Sequence, residues 1–474
     1  MQRNVSPSLA LGLSILLGSI GCASTGEKQL RQRLDVVQDS LLVQEPGAGP
    51  PEPQTASQLP LDASLGALRL HAVRHNDAVA AAFESWRAAV EHIPQVRALA
   101  DPQLHYGYYI RAVETRVGPQ RHRFSLSQIF PWFGKLGAQG DAALEAAGAA
   151  EQDFRRARLR LFYELDRAYA ELYYTTRAQA VTQANLDLLL SWEEVARARF
   201  RAGRGTHADV IKAQVEIGVL SDRIRNLEDQ RGVRLADVNV LLDRAPDAPL
   251  AVPDTLRDEA IDQPDDELIA MLDQASPELL ALDHTVASRQ HEVRRASKSG
   301  LPDLRLGADY IVTGEAIAPD VPDTGQDAVI ATFSINLPLW RGKYAAEERE
   351  AQARLRAARY TRSDVGKRLV ADVKRVAFEA RDAGRRTRLY RDTLIPKGEQ
   401  SLRAASTAFE AGRLEFLNVV EAQRVLLEFQ LAYERALSDQ LARTAELEMR
   451  LGRELERSNA ERAAPAGADQ KEPK

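Results

Sequence analysis

His71 and His75 stand four residues apart in a stretch with helical periodicity, a spacing that puts two imidazoles on one face and could hold a metal ion. No third ligand lies near them in the sequence, so a solvated helix face accounts for the pair better. His291-Glu292 begins like the helical motif of zinc proteases but lacks its second histidine. Cys22 is the single cysteine of the 474 residues, which excludes an intrachain disulfide and a multi-cysteine metal site. The sequence contains neither a phosphate-binding glycine loop nor a nucleophile elbow. No catalytic residue, metal site or cofactor is therefore expected, and an enzyme is the least favoured class.

Cys22 has a different chemistry open to it. Arg3 precedes an apolar run, Leu9 to Leu17, which leads into Ser19-Ile20-Gly21-Cys22, the pattern of a secretory signal with small residues at its cleavage site. The run is too short to cross a bilayer. This end resembles a bacterial lipobox. The resemblance implies a signal peptide over 1–21, a lipidated Cys22 as the mature N-terminus and, with Ala23 next to it, an outer-membrane destination. An ordinary signal peptide with a buried cysteine is the alternative.

The elements behind these residues are set by a repetition. Phe200 to Gln214 reads FRAGRGTHADVIKAQ, and Phe409 to Gln423 reads FEAGRLEFLNVVEAQ. Gly203-Arg204 and Gly412-Arg413 sit at the centre of the two copies, each between long helical patterns, as expected of two helices joined by a tight turn. The chain is read as a tandem duplication. Charged residues make up 28% and aromatics 6%, a balance suited to long packed helices, and a net charge of −5 gives no footprint for nucleic acid.

In chain order, residues 22–64 read as a lipidated N-terminus and extended linker, rich in Pro and Gly between Glu45 and Pro53. The first repeat covers 65–243. A helix over about 65–99 precedes two strands, about 103–117 and 121–130, in which Leu104, Tyr106, Tyr108 and Ile110 alternate with His105, Gly107 and Arg111. A helix from Lys135 to about Arg201 and another over about 206–243 complete it. An inter-repeat linker follows at 244–266.

The second repeat, 267–456, has a helix over about 271–299, strands at about 303–313 and 328–337, a long run from Lys343 to Ala411 and a last helix to about Leu455. Pro396 should kink or interrupt that long run. Both return strands end in a similar junction, Pro131-Trp132-Phe133-Gly134-Lys135 and Pro338-Leu339-Trp340-Arg341-Gly342-Lys343. Pro131, Trp132, Gly134, Pro338, Trp340 and Gly342 are expected at a membrane interface, where Trp is favoured. Residues 457–474 read as a disordered tail.

Four strands of about ten residues, apolar on one face, have the length to cross a bilayer when tilted. Open sheet edges are not tolerated in hydrocarbon, so a protomer supplying four strands must close a barrel with its own copies. Two copies give eight strands and three give twelve.

With these features the sequence resembles the TolC family of outer-membrane efflux proteins from about Leu65 to Leu455. The resemblance is carried by FSLSQIFPWFGK and FSINLPLWRGK, by Leu301-Pro302-Asp303-Leu304, and by FRAGR and FEAGR followed by DV and NV. It implies a mainly α fold with a membrane β-barrel: a homotrimer with a twelve-stranded barrel and a twelve-helix periplasmic tunnel. Gly203, Arg204, Gly412 and Arg413 would then lie at the periplasmic tip, in contact with an adaptor (membrane fusion) protein of a proton-driven inner-membrane pump. The implied function is a passive, gated conduit exporting small molecules or metal ions. A type I secretion channel and a non-pore periplasmic coiled-coil scaffold are the alternatives.

Overall fold

The computed structural model describes residues 24–41, 59–60, 62–258 and 261–455. The expected signal peptide, Cys22 and the tail over 457–474 lie outside the described residues. Helix α1 (Thr25–Leu41) precedes the first copy, which contains α2 (Leu65–His75), α3 (Asp77–Arg97), β1 (Gln103–Thr115), β2 (Gly118–Phe130), α4 (Lys135–Arg201) and α5 (His207–Leu241). The second contains α6 (Asp265–Ala275), α7 (Pro277–Ser297), β3 (Leu304–Thr313), β4 (Ala328–Ile335), α8 (Arg341–Leu389), a π-turn (Tyr390–Leu394), α9 (Ile395–Glu410) and α10 (Phe416–Leu451). At 67 residues α4 is about 100 Å long.

Both copies open with an 11-residue helix followed by a 21-residue helix, where the sequence predicts one helix each over 65–99 and 271–299. In the first copy Asn76 makes the break. Its Oδ1 accepts the N–H groups of Ala78 at 3.1 Å and Val79 at 3.2 Å, capping α3. In the second copy the break is Ser276-Pro277, with the proline opening α7. Pro94 stays inside α3. Pro396 follows the π-turn, which re-seats the backbone bonds that a proline without an N–H would leave unmade.

The chain divides into two compact units. The first, residues 1–39, 83–152 and 281–364, holds the sheet in the order β1-β2-β3-β4, antiparallel throughout. The β1–β2 connection is the two-residue turn Arg116-Val117. Phe83, Trp86, Val90 and Ile93 of α3 are buried, as are Ala138, Ala142, Ala143 and Ala147 of α4. Ser288 on α7 donates to the Ala142 carbonyl at 2.9 Å.

The extended linker expected over 22–64 is corrected here, because Thr25–Leu41 is a helix. A lone helix of this length is marginal in water. Tertiary contacts hold it: Leu30 and Leu34 are buried, Arg31 makes a forked pair with Glu91 at 2.6 and 3.3 Å, and Arg33 makes another with Glu151 at 2.8 Å.

The second unit comprises residues 40–82, 153–280 and 365–474. One hydrophobic core joins Leu189 and Trp192 of α4, Val210 and Leu220 of α5, Phe409 of α9 and Phe416 and Val419 of α10. The two glycine hairpins therefore share their packing. Residues 244–258 are pinned across the helices: Asp254 pairs with Arg177 at 3.1 Å, the Leu256 N–H donates to the Tyr173 hydroxyl at 3.4 Å, and Asp258 pairs with Arg391 at 3.2 Å.

Elsewhere in this unit Arg69 on α2 reaches three carboxylates. Its guanidinium donates to both oxygens of Asp166, which is fully buried on α4, and lies 3.7 Å from Glu448 and 3.4 Å from Glu454.

Candidate functional site

The strand register sorts the sheet into two chemically different faces. One carries the cross-strand rows Leu104-Leu126-Ala308-Ala331 and Tyr106-Phe124-Tyr310-Val329, and nearer the helices Gln128-Leu306-Phe333. Its apolar side chains stand in the open: Leu104 is 71% exposed and Phe333 67%, and Ile110, in the irregular part of β1, is 91% exposed. Such a contiguous apolar surface marks an interaction or membrane face. The opposite face carries His105-Ser125-Asp309 and Gln103-Ser127-Gly307-Thr332, with Arg123 and Arg305. Among the described residues, the outer edges of β1 and β4 have no strand partner.

At the helix end of this sheet Trp132 is 40% and Trp340 75% exposed, with Phe133, Leu337 and Leu339 exposed beside them. The two junctions are built differently. At the first, Asp303 accepts the Trp132 N–H at 2.9 Å and the Lys135 ammonium at 2.8 Å, while Lys135 also reaches the Leu301 carbonyl at 2.8 Å. Gly134 takes a left-handed φ of 80°, with the Lys298 side chain against it where a Cβ would stand. At the second, Pro338 and Trp340 run straight into α8, and Gly342 lies within that helix with open space around it.

The two glycine turns are nearly identical. Gly203 and Gly412 have φ of 69° and 73°. In each, the glycine N–H returns to a carbonyl three residues back and the following arginine N–H to one five residues back: Gly203 to Phe200 at 3.0 Å and Arg204 to Arg199 at 2.9 Å, then Gly412 to Phe409 and Arg413 to Ala408, both at 2.9 Å. This is the Schellman arrangement that closes a helix C-terminus. Arg204 and Arg413 are exposed, with no ion-pair partner among the described residues.

Arg199 brings the two turns together. Its guanidinium donates to the Phe409 carbonyl, to Glu410 O at 3.3 Å and to Arg204 O at 3.3 Å, and stacks over the Phe409 ring at 4.6 Å. Because the glycine φ is the requirement and nothing crowds Gly203, Gly203→Ala and Gly412→Ala are each expected to cost about 1 kcal/mol through backbone strain. Hydrogen exchange should speed up locally at the turns and stay unchanged in the sheet.

The His71 and His75 rings stack at 4.1 Å, but His71 Nε2 is spent on the Leu242 carbonyl at 3.1 Å and His75 Nδ1 on the His71 carbonyl at 2.8 Å. Among the described residues no group of three His, Cys, Asp or Glu side chains could hold a metal. Burial first, then the charge of His75, holds the His71 imidazole below the ordinary histidine value. The folded chain then binds fewer protons there than the unfolded chain, so this site's stability is complete above about pH 6.5 and falls as the pH drops through it. Thermal unfolding at pH 5.5 and 7.5 should show that loss, and His71→Gln should reduce it.

An antiparallel sheet with an exposed apolar face and two open edges, in a chain whose long helical hairpins share a core, defines a strand-and-helix membrane protein. The family model of outer membrane efflux proteins matches residues 70–242 and again 268–453, and the chain belongs to that family, in the outer membrane.

Among its relatives, the outer membrane efflux protein BepC of Brucella suis is 23% identical over 61% of this chain and 63% of its own length, and outer membrane protein OprJ of Pseudomonas aeruginosa is 26% identical over 62% and 61%. The match therefore spans a little over three fifths of these two relatives. The crystal structure of the outer membrane protein VceC from Vibrio cholerae superposes with a TM-score of 0.68 at 20% identity, covering 83% of this chain and 97% of that one, which establishes the fold.

Two residues that hold these turns and junctions escape a reading of the sequence. Arg199 corresponds in the second copy to Ala408, so the repetition does not flag it. Asp303 belongs to a motif legible as the start of a strand, while its role as clamp of the first junction depends on a contact across more than 160 residues.

Proposed function

We propose that three copies of this chain close their sheets edge to edge into a twelve-stranded barrel and serve as the outer-membrane conduit of a tripartite efflux system. The observation that carries this reading is the open-edged sheet, apolar and exposed on one face and polar on the other. Unpaired strand edges in hydrocarbon cost several kcal/mol per backbone group, and closure with further copies removes them. No helix among the described residues is long and apolar enough to span a membrane.

The conduit is passive. An adaptor protein contacts the turns at Gly203-Arg204 and Gly412-Arg413, an inner-membrane pump, proton-driven, supplies the energy, and lipid on Cys22 adds an anchor. The cargo is small molecules or metal ions. A strain lacking the chain should accumulate a fluorescent efflux dye, and restoring the chain alongside its adaptor and pump should lower accumulation. Equal accumulation in both strains contradicts the proposal.

A further inference from the structure

We propose that the barrel lumen favours anionic over cationic solutes through a ring of positive charge supplied by Arg305. The inference rests on the closed tube proposed above, in which the polar face of the sheet lines the lumen. Along the part of that face paired in continuous register, from Gln103 to Tyr108 of β1 and across its partners, the charges are His105, Arg123, Arg305 and Asp309, and the alternation of β1 adds Arg111 beyond it. Asp309, the only carboxylate among them, is 2% exposed and already engaged by Arg123 at 3.1 and 3.2 Å. Its charge is cancelled and hidden.

Arg305 is held only by neutral groups, Gln103 Oε1 at 3.0 Å and Ser127 Oγ at 3.4 Å, and has no carboxylate partner among the described residues. Its charge faces the solvent of the lumen uncompensated, once per copy. Arg305 stands at the start of β3, beside the first junction, where Lys135 and Asp303 neutralise each other at 2.8 Å.

The acidic residues of the outer loop do not cancel this ring. Glu315, Asp320 and Asp323 follow the far end of β3, Leu304–Thr313, so roughly 25–30 Å of strand separates them from Arg305. The Debye length is about 10 Å at 0.1 M salt, and the loop's field has decayed over that distance. A low-dielectric wall around a water-filled lumen instead concentrates the field of charges on the wall itself.

The test is the reversal potential of the full-length protein in a planar bilayer across a KCl gradient. Chloride permeability is expected to exceed that of potassium by about threefold near 0.1 M salt. Arg305→Gln should bring the ratio to about one, Arg305→Glu should invert it, and Arg305→Lys should keep it. Arg116→Gln, in the outer turn, should leave it unchanged. Conducting channels that prefer potassium, or whose ratio ignores Arg305→Glu, overturn the inference and leave the tube standing. An assembled trimer that never conducts, even with the turns loosened by Gly203→Ala and Gly412→Ala, overturns the tube and the inference together.

Discussion

An arginine in place of Leu126 is expected to keep the protein out of the outer membrane. Leu126 pairs with Leu104 and Ala308 in the central row of the exposed apolar face. A guanidinium near the bilayer midplane on the lipid side of a barrel costs about 2–4 kcal/mol, and three copies bring that to about 6–12 kcal/mol for the assembly. Ser127→Arg places the same group one residue further on, facing the other way, and should insert normally. Fractionation of membranes followed by detergent extraction reads both variants. Equal insertion of the two would mean that the apolar face does not meet lipid.

Arg69→Met is expected to be the most destabilising change in the second unit. It leaves Asp166, fully buried, and Glu448, 4% exposed, without the cation between them. Removing one partner of a buried pair typically costs about 3–5 kcal/mol, whereas replacing both partners with apolar groups is often neutral. The denaturant midpoint of the purified protein should therefore drop sharply for Arg69→Met and recover much of the loss in Arg69→Met/Asp166→Leu. A single variant as stable as the wild type would show that solvent relieves the site.

The repeat, the strands and the glycine turns were legible because each imposes a local signal: period-two alternation in Leu104 to Ile110, a glycine where φ must be positive, and a second copy to compare. Alternation alone does not set the strand register, whose irregularity between Tyr108 and Val113 shows only in the pairing. The family resemblance carried the reading on to location.

What stayed hidden depends on contacts distant in sequence. Helix α1 has little apolar surface of its own beyond Leu30 and Leu34 and owes its place to Glu91 and Glu151. At Asn76 the helical period runs on without proline or glycine, so only the capping bonds reveal the break. Ser276-Pro277 did hold a local clue, because a residue before proline is biased away from helix. Residues 244–258 read as a free linker from their composition, yet Asp254 and Asp258 find arginines on other elements.

The most direct measurement is single-channel conductance of the detergent-purified protein in a planar bilayer, with oligomeric mass determined on the same preparation and the turns loosened by Gly203→Ala and Gly412→Ala where the tip stays shut. Stable conductance steps from a particle of three copies are the predicted result. A monomer that remains soluble without detergent and produces no steps would contradict the barrel, and transport with it.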